Sequence, residues 1–227
     1  MVAVLAHRGA LSGRAENTLD AFLEAQRVGA DGVELDVRLS ADGALVVHHD
    51  VEIPGLGPVA TLKVADLPAE VPLLEAAVLA CGDLFVNIEL KDLPGEPGFD
   101  ITHPLAVRVA VFVRERNLLD RVVVSSFDLR AADAVRTVEP AISTAWLTPN
   151  GFDQRLALDS VVDRGHRALH PHHASVTPDL VKSAHWVGVA INTWTVDEPD
   201  RMRELAAAGV DAIITNRAKV AKEVLRR

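Results

Sequence analysis

Short, unbroken apolar runs alternate with longer stretches of helical period along the whole chain. The runs are Val2–Ala6, Gly32–Val37, Leu84–Leu90, Arg121–Ser125, Ile142–Trp146, Ala168–His170, Ala190–Thr193 and Ala212–Thr215. Continuous apolar character, rather than alternation, is expected of parallel strands covered on both faces. Between the runs, Thr18–Val28 (TLDAFLEAQRV) and Pro199–Ala208 (PDRMRELAAA) are amphipathic. In the latter, Met202, Leu205 and Ala206 recur at the spacing of one helical face. Gly29 and Gly209 each end a helical stretch and precede a strand run, where a left-handed C-terminal cap is wanted. Both sit in a repeated phrase, Val28-Gly29-Ala30-Asp31-Gly32-Val33 and Ala208-Gly209-Val210-Asp211-Ala212-Ile213.

Eight such units predict an α/β fold, a compact (β/α)8 TIM barrel, as a single domain over residues 1–227. A doubly wound open sheet is the rival, but no Gly-x-Gly-x-x-Gly follows the first run, where a dinucleotide fold would place it. After the Ala41-Asp42-Gly43 turn, Ala44–Val47 reads as a small extra strand that returns His49 to the barrel mouth. Leu93–Phe99 (LPGEPGF) reads as a loop, since the strand–helix rhythm resumes beyond it.

Composition narrows the function classes. The chain has 227 residues, is 49% hydrophobic and carries a net charge of −9. That excludes disorder and argues against nucleic acid as a partner, because such binding is largely cationic neutralisation of phosphate. No apolar stretch approaches a membrane span and no polybasic patch is present, so stable membrane insertion is not expected. The single cysteine, Cys81, fits a reducing compartment and reads as buried and inert. The opening MVAVLAHRGA has no basic n-region of a signal peptide, which makes a cytoplasmic location the expectation. Nothing in the pattern specifies an oligomeric state.

Barrels do chemistry at the C-terminal ends of their strands. His7 and Arg8 follow the first run. Glu34 and Asp36, two apart near the end of the second, share a face. Glu89 ends the third run and Lys91 lies two beyond it on that same face, while His49 follows the extra strand. Three carboxylates from adjacent strands can converge on one divalent cation, and an all-oxygen set suits Mg²⁺ or Ca²⁺. Two histidines can pass a proton near neutrality, and an arginine can hold an anion. Together they suggest metal-assisted phosphodiester chemistry. Each feature alone has a plainer explanation: a solvated strand end, a surface ion pair, a turn with an incidental histidine. Their concurrence at one end of the sheet is what argues for a site.

These residues carry a family resemblance. His7-Arg8-Gly9 and Glu16-Asn17-Thr18, then Gly29 to Val37 with Glu34 and Asp36, then Asp42-Gly43, His49-Asp50 and Glu89-Leu90-Lys91, resemble the motifs of the glycerophosphodiester phosphodiesterases, in order. Weaker matches follow at Val124 to Asp128, Trp194-Thr195-Val196 and Gly209 to Thr215. The resemblance implies a metal-dependent barrel that splits small glycerophosphodiesters into glycerol 3-phosphate and an alcohol. It implies that Glu34, Asp36 and Glu89 hold one divalent cation and that His7 and His49 are general base and acid. It further implies that Arg8 and Lys91 bind phosphate oxygens, with Glu16 beside the substrate. Two departures stand out. The proline usual before Glu-Asn-Thr is Ala15, and the Leu-x-Arg-Thr-Thr phrase usual after His-Asp is replaced by Val51-Glu52-Ile53-Pro54-Gly55. Since every metal and proton-transfer position remains, the second points to altered substrate contacts.

His166, His170, His172 and His173 invite a zinc reading but lack helical or hairpin ligand spacing. His170 or His172 is instead expected to line the mouth and meet the substrate. His48 should point away from His49, and His103 and His185 fall in helix patterns with no role expected. Trp194 should stand at the mouth, either as packing under a loop or as an apolar wall for a cationic head group. Asp50 either orients His49 or caps the next turn. The nearest alternative activity is a lysophospholipase D or sphingomyelinase-D-like phospholipase, for which Ile53–Val59 (IPGLGPV) is a modest docking loop. A non-catalytic phosphate-binding barrel would require a lost ligand or histidine. A proton-abstracting carboxylate barrel would want a late-strand base that the chain does not show.

Overall fold

The computed structural model describes residues 2–11 and 13–225. Its strands are β1 (Ala3–His7), β2 (Gly32–Leu39), β3 (Leu45–Val47), β4 (Glu52–Ile53), β5 (Gly57–Pro58), β6 (Phe85–Leu90), β7 (Val122–Ser126), β8 (Ser143–Thr148), β9 (Ala168–Pro171), β10 (Ala190–Thr193) and β11 (Ala212–Thr215). Eight of them close a parallel ring in the order β1, β2, β6, β7, β8, β9, β10, β11 and back to β1. The helices are α1 (Leu19–Arg27), α2 (Leu74–Ala80), α3 (Pro104–Glu115), α4 (Leu129–Val138), α5 (Gln154–Asp163), α6 (Pro178–Trp186), α7 (Pro199–Ala208) and α8 (Ala218–Leu225). The fold is the expected (β/α)8 barrel, and the eight apolar runs match the ring strands to within two residues at either end.

Side chains alternate across each strand and so feed two cores. The outward set, such as Val33, Leu35 and Val37 on β2 and Val86 and Ile88 on β6, packs against Phe22, Ala25, Leu105 and Val109 of the helices. Inside the ring, Leu5, Ala212 and Ile214 form one small cluster and Val123, Ala145 and Ala168 another, with Phe85 against both. β2 departs from the expected continuous run. Its outward valines and leucine alternate with Glu34, Asp36 and Arg38, all buried.

β3 lies outside the ring, antiparallel to β2 with Val37 opposite Val47, which is the extra strand read from the sequence. Beyond it, β4 and β5 form a two-stranded hairpin that the sequence pattern did not signal. That segment folds on a core of its own, Val46, Ile53, Val59 and Leu62. Most of the apolar character of Ile53–Val59 is therefore interior, and Leu56 is the large apolar side chain it leaves exposed. Among the described residues, no helix is long and apolar enough to cross a membrane.

Local signals set the helix ends. Thr18, Asp128, Asp153 and Thr177 accept backbone N–H bonds at the starts of α1, α4, α5 and α6. Gly29 and Gly209 take the left-handed conformation foreseen for them, φ 71° and 89°.

Candidate active site

The turn leaving β1 is built for close approach. Arg8 takes φ 55° and Gly9 φ 89°, and a Cβ on Gly9 would lie 2.6 Å from the Ala21 Cβ of α1. The tight turn aims the Arg8 backbone N–H at Glu34 Oε2, 3.1 Å away, and sets the Arg8 Nε 3.2 Å from Asp36 Oδ2. Strand register does the rest. His7 is level with Glu34, and Asp36 with Glu89, across adjacent strands.

The three predicted carboxylates converge. Glu34, Asp36 and Glu89 are buried and offer oxygens within 4.8 Å of one another, the one such cluster among the described residues. Lys91 Nζ sits 3.2 Å from Asp36 Oδ1 and bonds Glu89 Oε1. Asn17, held at φ 55° and buried, donates from Nδ2 to Asp36 Oδ2 at 2.8 Å and accepts the Asp36 backbone N–H. Two side-chain cations thus face three carboxylates, and the mismatch appears in the acidities. Burial pushes Glu34 well above the usual carboxylate range, with Asp36 and Glu89 adding to the rise. Burial likewise raises Glu89 to about 7 against the pull of Lys91. For Asp36 burial acts the same way, but Lys91, Arg8 and the Asn17 bond outweigh it and leave the carboxyl below its ordinary value.

A hard divalent cation fits this donor set. Among the described residues, Glu34 Oε1 is buried with no hydrogen-bond partner, an arrangement that is costly unless something charged meets it.

The two histidines stand in different surroundings. His7 Nε2 lies 3.8 Å from Glu34 Oε2, while Nδ1 bonds Asn216 Oδ1 at 2.7 Å. Burial lowers the His7 pKa, opposed by the Asn216 bond. His49 is half-buried, its Nδ1 2.7 Å from Asp50 Oδ1, and the bond to His49 holds Asp50 below the usual carboxylate range. Of the two roles open to Asp50, the bond observed is the one to the His49 ring. Glu16 is exposed and pairs with Arg8 Nη1 at 2.8 Å.

Residues 7–220 match the model of the glycerophosphoryl diester phosphodiesterase family. The chain belongs to this family. It is 30% identical to a glycerophosphodiester phosphodiesterase of Caldanaerobacter subterraneus over 99% of this chain and 98% of that protein. Among solved structures, a glycerophosphodiester phosphodiesterase from Parabacteroides distasonis superposes with a TM-score of 0.86 at 27% identity, covering 99% of this chain and 97% of that one. One from Thermotoga maritima gives 0.84 at 26% identity, covering 99% and 98%.

Not every expected residue of this family member joins the site. His170 points into the ring with no exposed surface, its Nε2 bonded to Asn192 Nδ2 at 2.9 Å, so it does not line the mouth as expected. Burial drives its pKa down to about 3. Trp194 sits above it, half-buried, donating from Nε1 to the His170 carbonyl at 2.9 Å and meeting Phe127 and His172 edge to face. His166 is buried against Thr144 and Asp133, and His172 and His173 lie against each other with ring centroids 4.5 Å apart. The four later histidines form no common ligand set. His103 is not a bland helix residue. It precedes α3 at φ 50°, buried, with Nδ1 3.2 Å from Asp92. Cys81 is buried as expected, and burial pushes its thiol up to about 12.

Three residues had no assigned role in the sequence. Arg38, inward on β2 beyond Asp36, bonds the carbonyls of His49 and Lys91 at 2.9 and 3.2 Å and the Glu96 carboxylate at 2.9 Å. It ties the loop of one histidine to that of the lysine. A charged residue continuing the Glu34–Asp36 alternation was its signal. Asn216, one residue past the last apolar run, and Asp197 behind it gave none.

Proposed function

We propose that the protein hydrolyses small glycerophosphodiesters to glycerol 3-phosphate and an alcohol, with one divalent cation, Mg²⁺ or Ca²⁺, held by Glu34, Asp36 and Glu89. The phosphodiesterase activity follows from membership of the family. The observation that carries the finer reading is the convergence of those three carboxylates beside His7, Arg8 and Lys91 at the C-terminal end of the barrel. When bound, the cation supplies Lewis-acid stabilisation of the charge that develops on the phosphate.

The side chains divide the remaining work. His7, lowered by burial and bonded to a neutral amide, is the base that takes the proton from the glycerol 2-hydroxyl at Nε2. The freed oxygen attacks phosphorus, and His49, its other nitrogen bonded to the Asp50 carboxylate, delivers a proton to the departing alcohol oxygen. The different bonding partners of the two rings support this division of roles. Water then opens the cyclic phosphate with the roles reversed. Arg8 and Lys91 bind the non-bridging oxygens, Glu16 steadies Arg8, and Trp194 walls the alcohol side.

The test is a coupled assay of glycerol 3-phosphate release from glycerophosphocholine. Chelator should abolish release, one of Mg²⁺ or Ca²⁺ should restore it, and Glu34→Ala should lose roughly a thousandfold or more. Folded protein that releases nothing with either cation would count against the substrate.

A further inference from the structure

Two side chains outside the catalytic set decide which nitrogen of His7 holds its proton. Ala6 on β1 is level with Thr215 on β11, which brings Asn216 beside His7. Asn216 Oδ1 lies 2.7 Å from His7 Nδ1, and Asn216 Nδ2 donates to Asp197 Oδ2 at 2.8 Å. Asp197, in the loop after β10, also accepts the Asn216 backbone N–H and the Thr215 hydroxyl on Oδ1, both at 2.9 Å.

This network has one solution. A carboxylate only accepts, so the Asn216 NH₂ must face Asp197 and its carbonyl must face His7. A carbonyl only accepts as well, so His7 Nδ1 must carry the hydrogen. The lone pair is thereby placed on Nε2, the nitrogen 3.8 Å from Glu34. We propose that Asp197, acting through Asn216, is a positioning dyad that fixes His7 as the Nδ1–H tautomer and so presents Nε2 as the base. This rests on the two-histidine reading above. It adds a dependence on two residues outside the set assigned above to substrate and cation.

The bonding pattern supplies its own rescue. In Asp197→Asn, Oδ1 can keep Thr215 and the Asn216 N–H, so the turn survives, but an NH₂ now meets the NH₂ of Asn216. The Asn216 amide turns over, offers a donor to Nδ1 and drives the hydrogen to Nε2. In the double variant Asp197→Asn/Asn216→Asp, Asn at 197 donates to Asp at 216, whose other oxygen accepts from Nδ1. Every contact of the original network is then restored, with the bond between 197 and 216 reversed in direction and the charge carried at 216 instead of 197.

The experiment reads the tautomer from two-bond ¹⁵N–¹H imidazole spectra of chelated protein above neutral pH, and kcat and KM with cation restored. Asp197→Asn should move the His7 hydrogen to Nε2 and lower kcat about a hundredfold with KM nearly unchanged, the scale typical of such outer partners. The double variant should return the hydrogen to Nδ1 and recover kcat to within about tenfold of wild type. An Nδ1–H signal or wild-type kcat retained in Asp197→Asn overturns the proposal. So does a double variant as impaired as the single one, which would assign the pair to holding the turn. His7→Ala, assayed alongside, keeps the readings apart. Turnover surviving there removes the base role from His7, while the tautomer still reports on the dyad.

Discussion

On the side of the mouth formed by β1, β2 and β6, three buried carboxylates, Glu34, Asp36 and Glu89, meet the partly buried cations Arg8 and Lys91 and the buried amide of Asn17. On the side formed by the ends of β7 to β10, the lining is aromatic. Phe127 meets Trp194 and Trp194 meets His172 edge to face, while behind them Trp146, packed with Phe152 against the outer core, donates from its indole N–H to the Phe127 carbonyl. Phe127 joins the two sides, with Lys91 Nζ 6.0 Å from its ring centroid. The charged side is a preorganised field whose dipoles need not reorient as charge develops, and such fields supply much of an enzyme's rate. The aromatic side offers area and shape but no reacting group. The first should therefore govern kcat and the second the choice of alcohol.

The largest effect that would break this division is at the histidines. His7→Ala and His49→Ala should each lower kcat by about 10²–10⁴, the range for a lost general acid or base, with KM little changed. Steady-state assays with glycerophosphocholine check it. If either variant keeps near-wild-type turnover, the charged side does not work as a two-histidine pair.

The two sides should also answer pH in opposite directions. Glu89 is raised to about 7, so between its unfolded value near 4.5 and 7 the folded state holds a proton the unfolded state has released, and stability falls as pH rises through that window. His170 is lowered to about 3, so between 3 and 6.5 the unfolded state holds the extra proton. That stability is fully present above 6.5 and is lost as pH falls. At 1.36 kcal/mol per unit these are upper bounds of roughly 3 and 5 kcal/mol. Melting curves of chelated protein from pH 4 to 8 are the check. Relative to wild type, Glu89→Gln should gain stability as pH rises, and His170→Gln, which keeps an acceptor for Asn192, should gain as it falls. Added cation should erase the Glu89→Gln advantage, because the carboxylate is then needed. Parallel curves for wild type and a variant would show that the group is not desolvated as described.

The same division explains what was legible. Carboxylates inside apolar strands are conspicuous because burial is costly without a partner, so Glu34, Asp36 and Glu89 announced themselves at strand ends. The strand runs and capping glycines were legible because they are local. The β4–β5 hairpin was not, being two residues per strand, and His170 was misplaced because β9 runs on to Pro171 and Trp194 packs over it, which leaves the inward-facing ring beneath the mouth instead of at it. Asp197 and Asn216 are 19 apart and meet only because β10 and β11 are neighbours, so no local pattern could pair them.

Trp194 is where the comparison can be sharpened with the smallest effect. Its indole is already committed to the His170 carbonyl and to two aromatic edges, which explains a packing role by itself. A cationic head group over its open face would add about 0.5–1 kcal/mol, a two- to fivefold term. Trp194→Leu should therefore raise KM for glycerophosphocholine by that factor and leave KM for an uncharged alcohol, as in glycerophosphoglycerol, nearly unchanged, with kcat steady for both. The informative quantity is the ratio between the two substrates, since loosened packing weakens both alike and cancels in it. A ratio that does not move would leave the aromatic side as scaffold and put alcohol selection elsewhere on the rim.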